Sequence, residues 1–446
     1  MAFVRITDRH VVRPACPSPR KSLFLSALDI MCTSIPHNRR ILFYKAPADS
    51  GGMRHSEVVS RLKVALSETL AHFWPLAGRI RPSSSFNREV HGDDVGAGDG
   101  RVWLECNDAG AELLEARVEG ISFAELEATE FAEMQPLFMD LVPWIEPPQF
   151  MTAPPLHVQI SSFACGSFAL GIAHSHVICD GTSLWHFLTS WAEIARGEEL
   201  SMKPVHERTL QRIENPSAEK AFLMAENVQE NKQHSTEEEK MELKVLRFSR
   251  EAVNKIKEKA GGNRSSYEAV CAHVWRHVSI ARGHSPDQKL SFIHVVNTRT
   301  KTQPPLSAAY FGNAAMWVST EAMAGELMEE DLSTTANRLH ATVKACDYRA
   351  WNGFLQWLEV HGPDEVFARC MLNGVRLRPS SSARFNVFGV DFGWGSPVAV
   401  RCPCMELPGK VTFFPSPAGF GSMELTLALP ASVMRQLLRQ PHFLHP

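Results

Sequence analysis

The sequence lacks the features that mark several large classes of protein. Its 446 residues carry a net charge of only -3, so no long-range field attracts nucleic acid or an anionic membrane surface. No stretch approaches the roughly 18 apolar residues of a membrane span, and residues 1–10 lack the apolar core of a signal peptide. We therefore expect a cytoplasmic protein that does not insert into a membrane and binds no nucleic acid. We also expect a monomer that holds no permanent cofactor.

The sequence also lacks several well-known catalytic patterns. There is no Gly-x-Ser-x-Gly and no Gly-x-x-x-x-Gly-Lys-Ser/Thr, which excludes a common serine hydrolase and a phosphate-loop enzyme. Asp391-Phe392-Gly393 opens a kinase motif, but the glycine-rich and His-Arg-Asp loops of kinases are missing. The ten cysteines have irregular spacing, which is typical of buried thiols in a reducing compartment. Cys402-Pro403-Cys404 is the one close pair, a weak sign of a metal or redox site.

What is present is an alternation of strand-like and helix-like segments. Apolar residues recur with a helical period over 57–73, 250–260 and 266–282, whereas 41–44, 101–106, 156–160, 243–248 and 290–296 have the pattern of strands. A polar stretch without an apolar stripe divides the chain, and we expect it to be a solvated connection. The sequence thus predicts a mixed α/β protein with a domain over 1–200, a crossover over 201–242 and a second domain over 243–446.

The stretch from His174 to Gly181 carries the most chemistry. A buried strand, 168–173, precedes it, and Gly181-Thr182-Ser183 is predicted to turn the chain into an amphipathic helix that begins at Leu184. This places the imidazole of His176 at an exposed corner at the end of a strand, where α/β proteins often place their sites. A histidine with a pKa near ~6.5 can accept a proton from an alcohol or an amine at neutral pH.

Three alternatives compete with a catalytic His176. A histidine four residues before an aspartate also fits a hydrogen-bonded imidazole followed by Asp180 as the cap of the next helix. His174, His176 and Asp180 could together ligate a metal, but no fourth ligand lies at a suitable spacing, so we predict no metal. Cys179 stands among apolar residues, which favours a buried structural thiol over a nucleophile.

Two motifs, far apart in the chain, carry a family resemblance. His176-x-x-x-Asp180-Gly181 and Asp391-Phe392-Gly393-Trp394-Gly395 together resemble the paired signature of the plant BAHD acyl-CoA-dependent acyltransferases. Further segments are similar to that family's landmarks in the same order along nearly the whole chain, namely Leu25 to Asp29, Phe73 to Arg79, Cys106 to Ala111, Ala272 to Arg276 and Tyr310 to Asn313.

The resemblance implies a fold and a reaction. It implies two domains related to chloramphenicol acetyltransferase, each with a mixed sheet flanked by helices, and an active-site channel between them. His176 is then the general base: it takes the proton of a hydroxyl or amine that attacks the thioester of an acyl-CoA co-substrate, without an acyl-enzyme. The acceptor is expected to be a small plant-type specialised or cuticle-related metabolite.

The resemblance also implies roles for other residues. Asp180 is expected to pair with Arg299 and, with Gly181, to hold the catalytic loop in shape. The loop of Asp391, Gly393 and Trp394 is expected to shape the contact between the domains. Ser265, Ser266 and Tyr267 match a segment near the nucleotide end of coenzyme A, although capping of a helix by Ser265 explains the same residues. Candidates for the oxyanion and acceptor side are Ser380, Ser382 and Asn313.

Departures from the family pattern bear on the substrate. Ser175 replaces the first of two adjacent histidines, which leaves the catalytic position intact. The segment 380–385 lacks a tryptophan that helps to bind the oxyanion in hydroxycinnamoyl transferases for shikimate or quinate, which argues against those acceptors. Residues 181–187 are closer to a branch with cuticle-related and defence-related members, one of them a lyase. A lyase that acts on a small conjugate without coenzyme A is therefore the alternative function.

Overall fold

The computed structural model describes residues 2–19, 22–46, 54–82, 102–132, 136–146, 149, 151–213, 240–371, 376–380, 383–403 and 409–446. Its strands are β1 Phe3–Val12, β2 Ser22–Leu23, β3 Asn38–Tyr44, β4 Arg79–Arg81, β5 Trp103–Glu105, β6 Ala111–Glu119, β7 Leu156–Ser162, β8 Phe168–His174, β9 Met241–Phe248, β10 Lys289–Asn297, β11 Ala315–Met323, β12 Arg378–Pro379, β13 Ala399–Arg401, β14 Lys410–Pro415 and β15 Met423–Pro430. Its α-helices are α1 Ala27–Ile30, α2 His55–His72, α3 Phe123–Ala128, α4 Leu137–Asp140, α5 Gly181–Ala195, α6 Arg250–Lys259, α7 Ser266–Arg282, α8 Ala324–Glu329, α9 Leu332–Lys344, α10 Tyr348–Met371 and α11 Ala431–Arg439.

The first sheet has six strands in the order β1-β6-β7-β8-β3-β13. Strands β6 and β7 run parallel and the other neighbours run antiparallel. Strand β8 is buried along its whole length, because its continuous apolar run is covered on both faces of the sheet. Strand β13 comes from the far end of the chain and pairs with β3, with Val400 opposite Leu42.

The second sheet has four strands in the order β12-β14-β15-β9, with β12 and β14 parallel. A backbone bridge between Phe292 and Leu377 attaches the antiparallel pair β10 and β11 to its β12 end. Helix α7 packs beside this sheet with α6, α9 and α11 around it. Its start is fixed by a reciprocal hydrogen-bonded cap between Ser265 and Glu268, and Gly283 ends it in the left-handed conformation (φ 63°).

The largest apolar core contains residues of both halves, from Val12 on β1 to Phe414 on β14. A second core fills the C-terminal half, and a third packs α3 and α4 against the outer face of the first sheet. The two sheets are therefore joined by shared packing as well as by β13. Among the helices within the described ranges, none has both the length and the apolar character that a membrane crossing requires.

The predicted fold class is confirmed: the protein is α/β, with two domains of mixed sheet flanked by helices. One local expectation was wrong. Residues 181–183 do not form a separate turn before the helix but belong to α5 itself. The helix begins at Gly181 because the carboxylate of Asp180 accepts a hydrogen bond from the Ser183 amide (2.9 Å) and caps the helix there.

The polar crossover is described only at 201–213 and 240–242. Within the first of these stretches Arg208 is 1% exposed and Val205 forms a backbone bridge to Tyr310, while the side chains of Val205 and Leu210 are exposed. Residues 214–239, with most of the charged run, lie outside the described residues, so the solvated connection stays a prediction. The domain boundaries 1–200, 201–242 and 243–446 stay predictions.

Candidate active site

One cavity of about 420 Å³ lies between the two halves of the molecule. The N-terminal half contributes the α1 region and the loop that begins after β8. The C-terminal half contributes β10, β11, β12 and the segment around Phe385. The lining residues with polar or charged side chains are Cys32, Asn38, His176, Asp180, Thr182, Asn297, Asn313, Arg378, Ser380, Arg384 and Lys410. A cavity therefore lies between the two halves, where the resemblance implies an active-site channel.

His176 lies in this cavity, two residues beyond the end of β8. It is half-buried, so the expectation of an exposed corner was wrong, because residues of the C-terminal half cover the end of the strand. Asn313 donates a hydrogen bond from Nδ2 to the carbonyl oxygen of His176 (2.8 Å). The Sγ atom of Cys32 lies 3.4 Å from Nδ1 of the imidazole. These two contacts hold the backbone and the ring of His176 from opposite domains.

The surroundings of His176 favour the neutral imidazole. Burial lowers its pKa below the ordinary 6.5, and the positive charge of Arg40 acts in the same direction. The carbonyl of His176 itself, the charge of Asp180 and the contact with Asn313 oppose this shift without reversing it. At neutral pH the ring therefore has a nitrogen lone pair that can accept a proton.

Asp180 is turned to Arg299, not to the imidazole. Its oxygens lie 2.8 and 3.0 Å from the two terminal nitrogens of Arg299, and they also accept hydrogen bonds from the amides of Ser183 (2.9 Å) and Ala314 (3.0 Å). Burial raises the pKa of Asp180, but Arg299 and these amides outweigh burial and hold the pKa below its ordinary value. The pair fastens the start of α5 to the end of β10, with Gly181 next to it.

A second buried ion pair lies next to the catalytic loop. Asp29 of α1 lies 3.0 Å from Arg208, both side chains fully buried, and its Oδ1 accepts a hydrogen bond from Asn313 Nδ2 (2.8 Å). The sequence analysis included Asp29 in the family-like segment from Leu25 to Asp29 but gave it no role, and it did not identify Arg208. No spacing in the sequence links these residues, since the fold brings together positions 29, 208 and 313.

Three of the predicted residues are not among the described residues of the cavity wall. Ser265 caps α7: its Oγ accepts from the Glu268 amide (3.2 Å), and its hydroxyl and amide donate to the Glu268 carboxylate (2.7 and 2.9 Å). Tyr267 packs edge-on against Phe413 at 5.3 Å. Ser265, Ser266 and Tyr267 are not among the described residues that line the cavity. Helix capping is thus observed, while contact with coenzyme A stays a prediction.

The Asp391 loop is held by its own hydrogen bonds. Oδ1 of Asp391 accepts from the amides of Gly393 (2.7 Å), Trp394 (3.0 Å) and Gly395 (2.9 Å). Gly393 requires φ 97°, a conformation that L side chains rarely adopt. Trp394 packs edge-on against Phe168 of β8, with ring centroids 5.6 Å apart. The loop supports the strand that leads to His176.

The candidates for the oxyanion side have different surroundings. Ser380 lines the cavity, and its hydroxyl forms a hydrogen bond with Thr412 (2.9 Å). Ser382 lies outside the described residues. Asn313 lines the cavity too, but its amide nitrogen donates to both Asp29 and His176, which accounts for its two hydrogens. Sequence reasoning missed Cys32, Arg378 and Lys410 on this wall.

Two α/β domains line one cavity, with a histidine just beyond the end of a central strand, which is the arrangement that the motifs predicted for a two-domain transferase. The chain belongs to the plant BAHD acyltransferase family: the family model described as "Transferase family" matches residues 2–444. Among curated relatives, the chain is 29% identical to "Hydroxycinnamoyltransferase" of Narcissus pseudonarcissus over 97% of this chain and 98% of that protein. It is 30% identical to "Anthranilate N-benzoyltransferase protein 2" of Dianthus caryophyllus over 96% of each chain.

Solved structures support the same fold. Vinorine synthase is 23% identical with a TM-score of 0.70, over 97% of this chain and 96% of that one. F. graminearum TRI101 complexed with coenzyme A and deoxynivalenol is 17% identical with a TM-score of 0.78, over 95% of this chain and 98% of that one. The chain is thus an acyltransferase of the BAHD type, as the motifs predicted.

Proposed function

We propose that this enzyme transfers an acyl group from an acyl-CoA to a hydroxyl or amine of a small plant metabolite, with His176 as the general base. The observation that carries the proposal is the position of the His176 imidazole inside the cavity that both domains line. Relatives named for hydroxycinnamoyl and benzoyl transfer support an acyl-CoA donor and a small acceptor.

The reaction needs one proton acceptor and one oxyanion site. Nδ1 of His176 contacts Cys32, which leaves Nε2 to take the proton from the acceptor. The acceptor oxygen or nitrogen then bonds to the thioester carbon, and the carbonyl oxygen becomes an oxyanion. As the tetrahedral intermediate collapses, the carbon–sulfur bond breaks, and the imidazolium returns the proton to the coenzyme A thiolate. We assign the hydroxyl of Ser380 to the oxyanion side of the cavity.

The other polar residues position this base. Asn313 holds the carbonyl of His176 while it is itself held by Asp29, so we assign it to positioning rather than to the oxyanion. Asp180, bound by Arg299, fixes the loop between β8 and α5. A rigid base matters because general-base catalysis depends on the distance and direction of the transferred proton.

The test is His176→Ala, assayed by release of coenzyme A thiol from several acyl-CoAs with mixed alcohol and amine acceptors. We expect turnover to fall by roughly 10²- to 10⁴-fold, the usual contribution of a general base, while the melting temperature stays near that of the wild type. His186→Gln is the matched control, because His186 lies on α5 outside the cavity wall and bonds the Met202 carbonyl (2.8 Å). Near-normal thiol release by His176→Ala would contradict the mechanism.

The same assay separates transfer from cleavage. An acyltransferase consumes acyl-CoA and acceptor together and is stabilised by coenzyme A in a thermal melt. Cleavage of a conjugate without coenzyme A, together with no stabilisation by it, would identify a lyase instead.

A further inference from the structure

The side chain that contacts Nδ1 of His176 is a thiol, not a carboxylate. Sγ of Cys32 lies 3.4 Å from Nδ1, and Cys32 lines the cavity although it is only 1% exposed. The carboxylate of Asp180 does not take this place, because Arg299 binds both of its oxygens. In a Ser-His-Asp triad the partner of Nδ1 holds the imidazole in the tautomer that acts as a base. Here the atom in that position is sulfur.

The hydrogen of the thiol is directed away from the imidazole. Sγ of Cys32 donates to the carbonyl of Leu28 (3.6 Å). The amide of Cys32 does not serve that oxygen, since it donates to the carbonyl of Asp29 (3.1 Å), and a buried carbonyl needs a donor. Burial first, and then the charges of Asp29 and Asp180, raise the pKa of Cys32 well above its ordinary value. The thiol therefore keeps its hydrogen at neutral pH, and its lone pairs are left for Nδ1.

The hydrogen bond made by one ring nitrogen of a histidine determines which nitrogen carries the hydrogen. With the sulfur accepting, the neutral imidazole of His176 has its hydrogen on Nδ1 and its lone pair on Nε2. The main-chain carbonyl of His176 also accepts a hydrogen bond from the ring, and a histidine reaches its own carbonyl only through Nδ1. Both contacts therefore favour the tautomer that can take a proton from a substrate at Nε2.

One buried carboxylate fixes the thiol and the base relative to each other. Asp29 lies on α1, which ends two residues before Cys32, and it pairs with Arg208 at 3.0 Å with both side chains fully buried. Nδ2 of Asn313 donates to Oδ1 of Asp29 and to the carbonyl of His176, each at 2.8 Å. The separation of Sγ and Nδ1 is thus set by a network that includes both halves of the molecule.

We propose that Cys32 is a positioning residue for the general base: its sulfur accepts the hydrogen of Nδ1 and keeps the lone pair of His176 on Nε2. The proposal rests on the acyltransferase function above. Sulfur is a weak hydrogen-bond acceptor, so it orients the ring without the strong stabilisation that a carboxylate gives to an imidazolium. The protonated ring then returns its proton readily to the coenzyme A thiolate.

Alanine and serine at position 32 form a matched pair, because they leave nearly the same space and differ by one hydroxyl oxygen. Thiol release is measured with benzoyl-CoA and p-coumaroyl-CoA and the mixed alcohol and amine acceptors. Cys32→Ala removes the hydrogen-bond acceptor, so kcat should fall about three- to tenfold, the size of one hydrogen bond, while KM for the acyl-CoA stays within about twofold of the wild type.

Cys32→Ser should separate positioning from packing. A hydroxyl oxygen accepts more strongly than sulfur, so kcat should stay within about twofold of the wild type, and the acid midpoint of kcat/KM should lie about half a pH unit higher. Diethyl pyrocarbonate measures the same midpoint without turnover, because it modifies the neutral imidazole and not the imidazolium. Its rate of reaction with His176 against pH, followed by peptide mass spectrometry, should show the same upward shift in Cys32→Ser.

The matched control is the same pair of substitutions at Cys346. This cysteine is also buried, its Sγ donates to the carbonyl four residues earlier, that of Thr342 (3.3 Å), and it is not among the described residues of the cavity wall. Cys346→Ala and Cys346→Ser should change neither kcat nor the two midpoints. Wild-type kcat and pH dependence in Cys32→Ala would refute the role of Cys32. Equal losses of kcat in Cys32→Ala and Cys32→Ser with unmoved midpoints would show packing alone and refute it too. If Cys32→Ala gives no cooperative melt, the midpoints of Cys32→Ser decide.

Failure of the proposed function gives a different result. Modification by diethyl pyrocarbonate requires no acyl transfer, so a raised midpoint in Cys32→Ser without thiol release by any of the proteins would reject the reaction and retain the contact. Thiol release by the wild type, with both variants of Cys32 indistinguishable from it, would retain the reaction and reject the role of Cys32.

Discussion

A neutral base inside the cavity makes the activity of His176 depend on pH in one direction. Its pKa is lowered below 6.5, chiefly by burial, so the base form is complete at pH 7 and is lost as the pH falls through the lowered pKa. We expect kcat/KM for thiol release to be constant between about pH 7 and 8 and to decline only below about 6.5. The His186→Gln variant should show the same dependence of kcat/KM on pH. A fall of kcat/KM in acid with its midpoint above pH 6.5 would contradict the role of His176 as the base.

The pair of Asp180 and Arg299 predicts strong coupling between two single variants. Removing either partner leaves the other as an uncompensated buried charge, which typically costs about 3–5 kcal/mol. We expect Asp180→Ala and Arg299→Ala each to lower the free energy of unfolding by that order, and the double variant to lose clearly less than the sum. Urea unfolding of all four proteins measures this coupling, and additive losses would show that the two side chains act independently.

Among the elements, the short strand β13 ties the two domains together. Arg401 at its end is 1% exposed and binds the Glu424 carboxylate of β15 (3.0 Å), the Phe131 carbonyl (2.7 Å) and the Glu130 carbonyl (3.1 Å). One guanidinium thus connects the first sheet, the second sheet and the segment after α3. All three partners accept hydrogen bonds, so they lose donors together when the guanidinium is removed.

Arg401→Met should therefore destabilise the protein by about 3 kcal/mol or more, with faster amide exchange in both β13 and β3. Arg5→Met is the control, since Arg5 of β1 forms an exposed ion pair with Glu119 of β6 (2.8 Å), and the loss of that pair should cost at most about 1 kcal/mol. If both variants lost the same small amount in chemical unfolding, Arg401 would not be a connecting residue.

The same elements explain how far the sequence could predict the fold. Helix α7 was predicted with its observed bounds, because Ser265 begins it and Gly283 ends it within the sequence itself. Strands β12 and β13 are two and three residues long and have no periodicity to detect. Their pairing depends on tertiary contacts with β14 and β3, which no local pattern contains.

For the whole molecule, the sequence identified the residues of the motifs but not the side chains that surround these residues in the fold. His176, Asp180 and Arg299 follow from the family resemblance, whereas Cys32, Arg208 and Lys410 reach the site only through the packing of distant segments. Apolar periodicity gives the sheets and helices, but it does not say which polar residues those sheets bring together. The composition of the cavity wall is a property of the assembled fold.

Burial of histidines throughout the molecule makes its stability sensitive to acid. His37 beside the first sheet, His273 on α7 and His294 on β10 are nearly inaccessible. Burial is the main cause that lowers their pKa values to about 4, about 3 and about 4, and neighbouring His157 and His277 add to the shift for the first two. The unfolded chain, with histidines near ~6.5, therefore takes up protons before the folded protein does.

The sign follows from proton binding: stability rises with pH wherever the unfolded state binds more protons. The contribution of these histidines is fully present above about pH 6.5. It is lost as the pH falls from about 6.5 to their lowered pKa values of about 4 for His37 and His294 and about 3 for His273, by at most about 1.4 kcal/mol per pH unit for each. We expect the free energy of urea unfolding to fall steeply from pH 7 to 5. The Nε2 atom of His273 contacts the Phe443 carbonyl at 2.8 Å, and a glutamine can still donate to that carbonyl. His273→Gln should therefore reduce the slope of unfolding free energy against pH by about the contribution of one histidine. His445→Gln, at an exposed position, should leave it unchanged, and a pH-independent stability of the wild type in this range would refute the prediction.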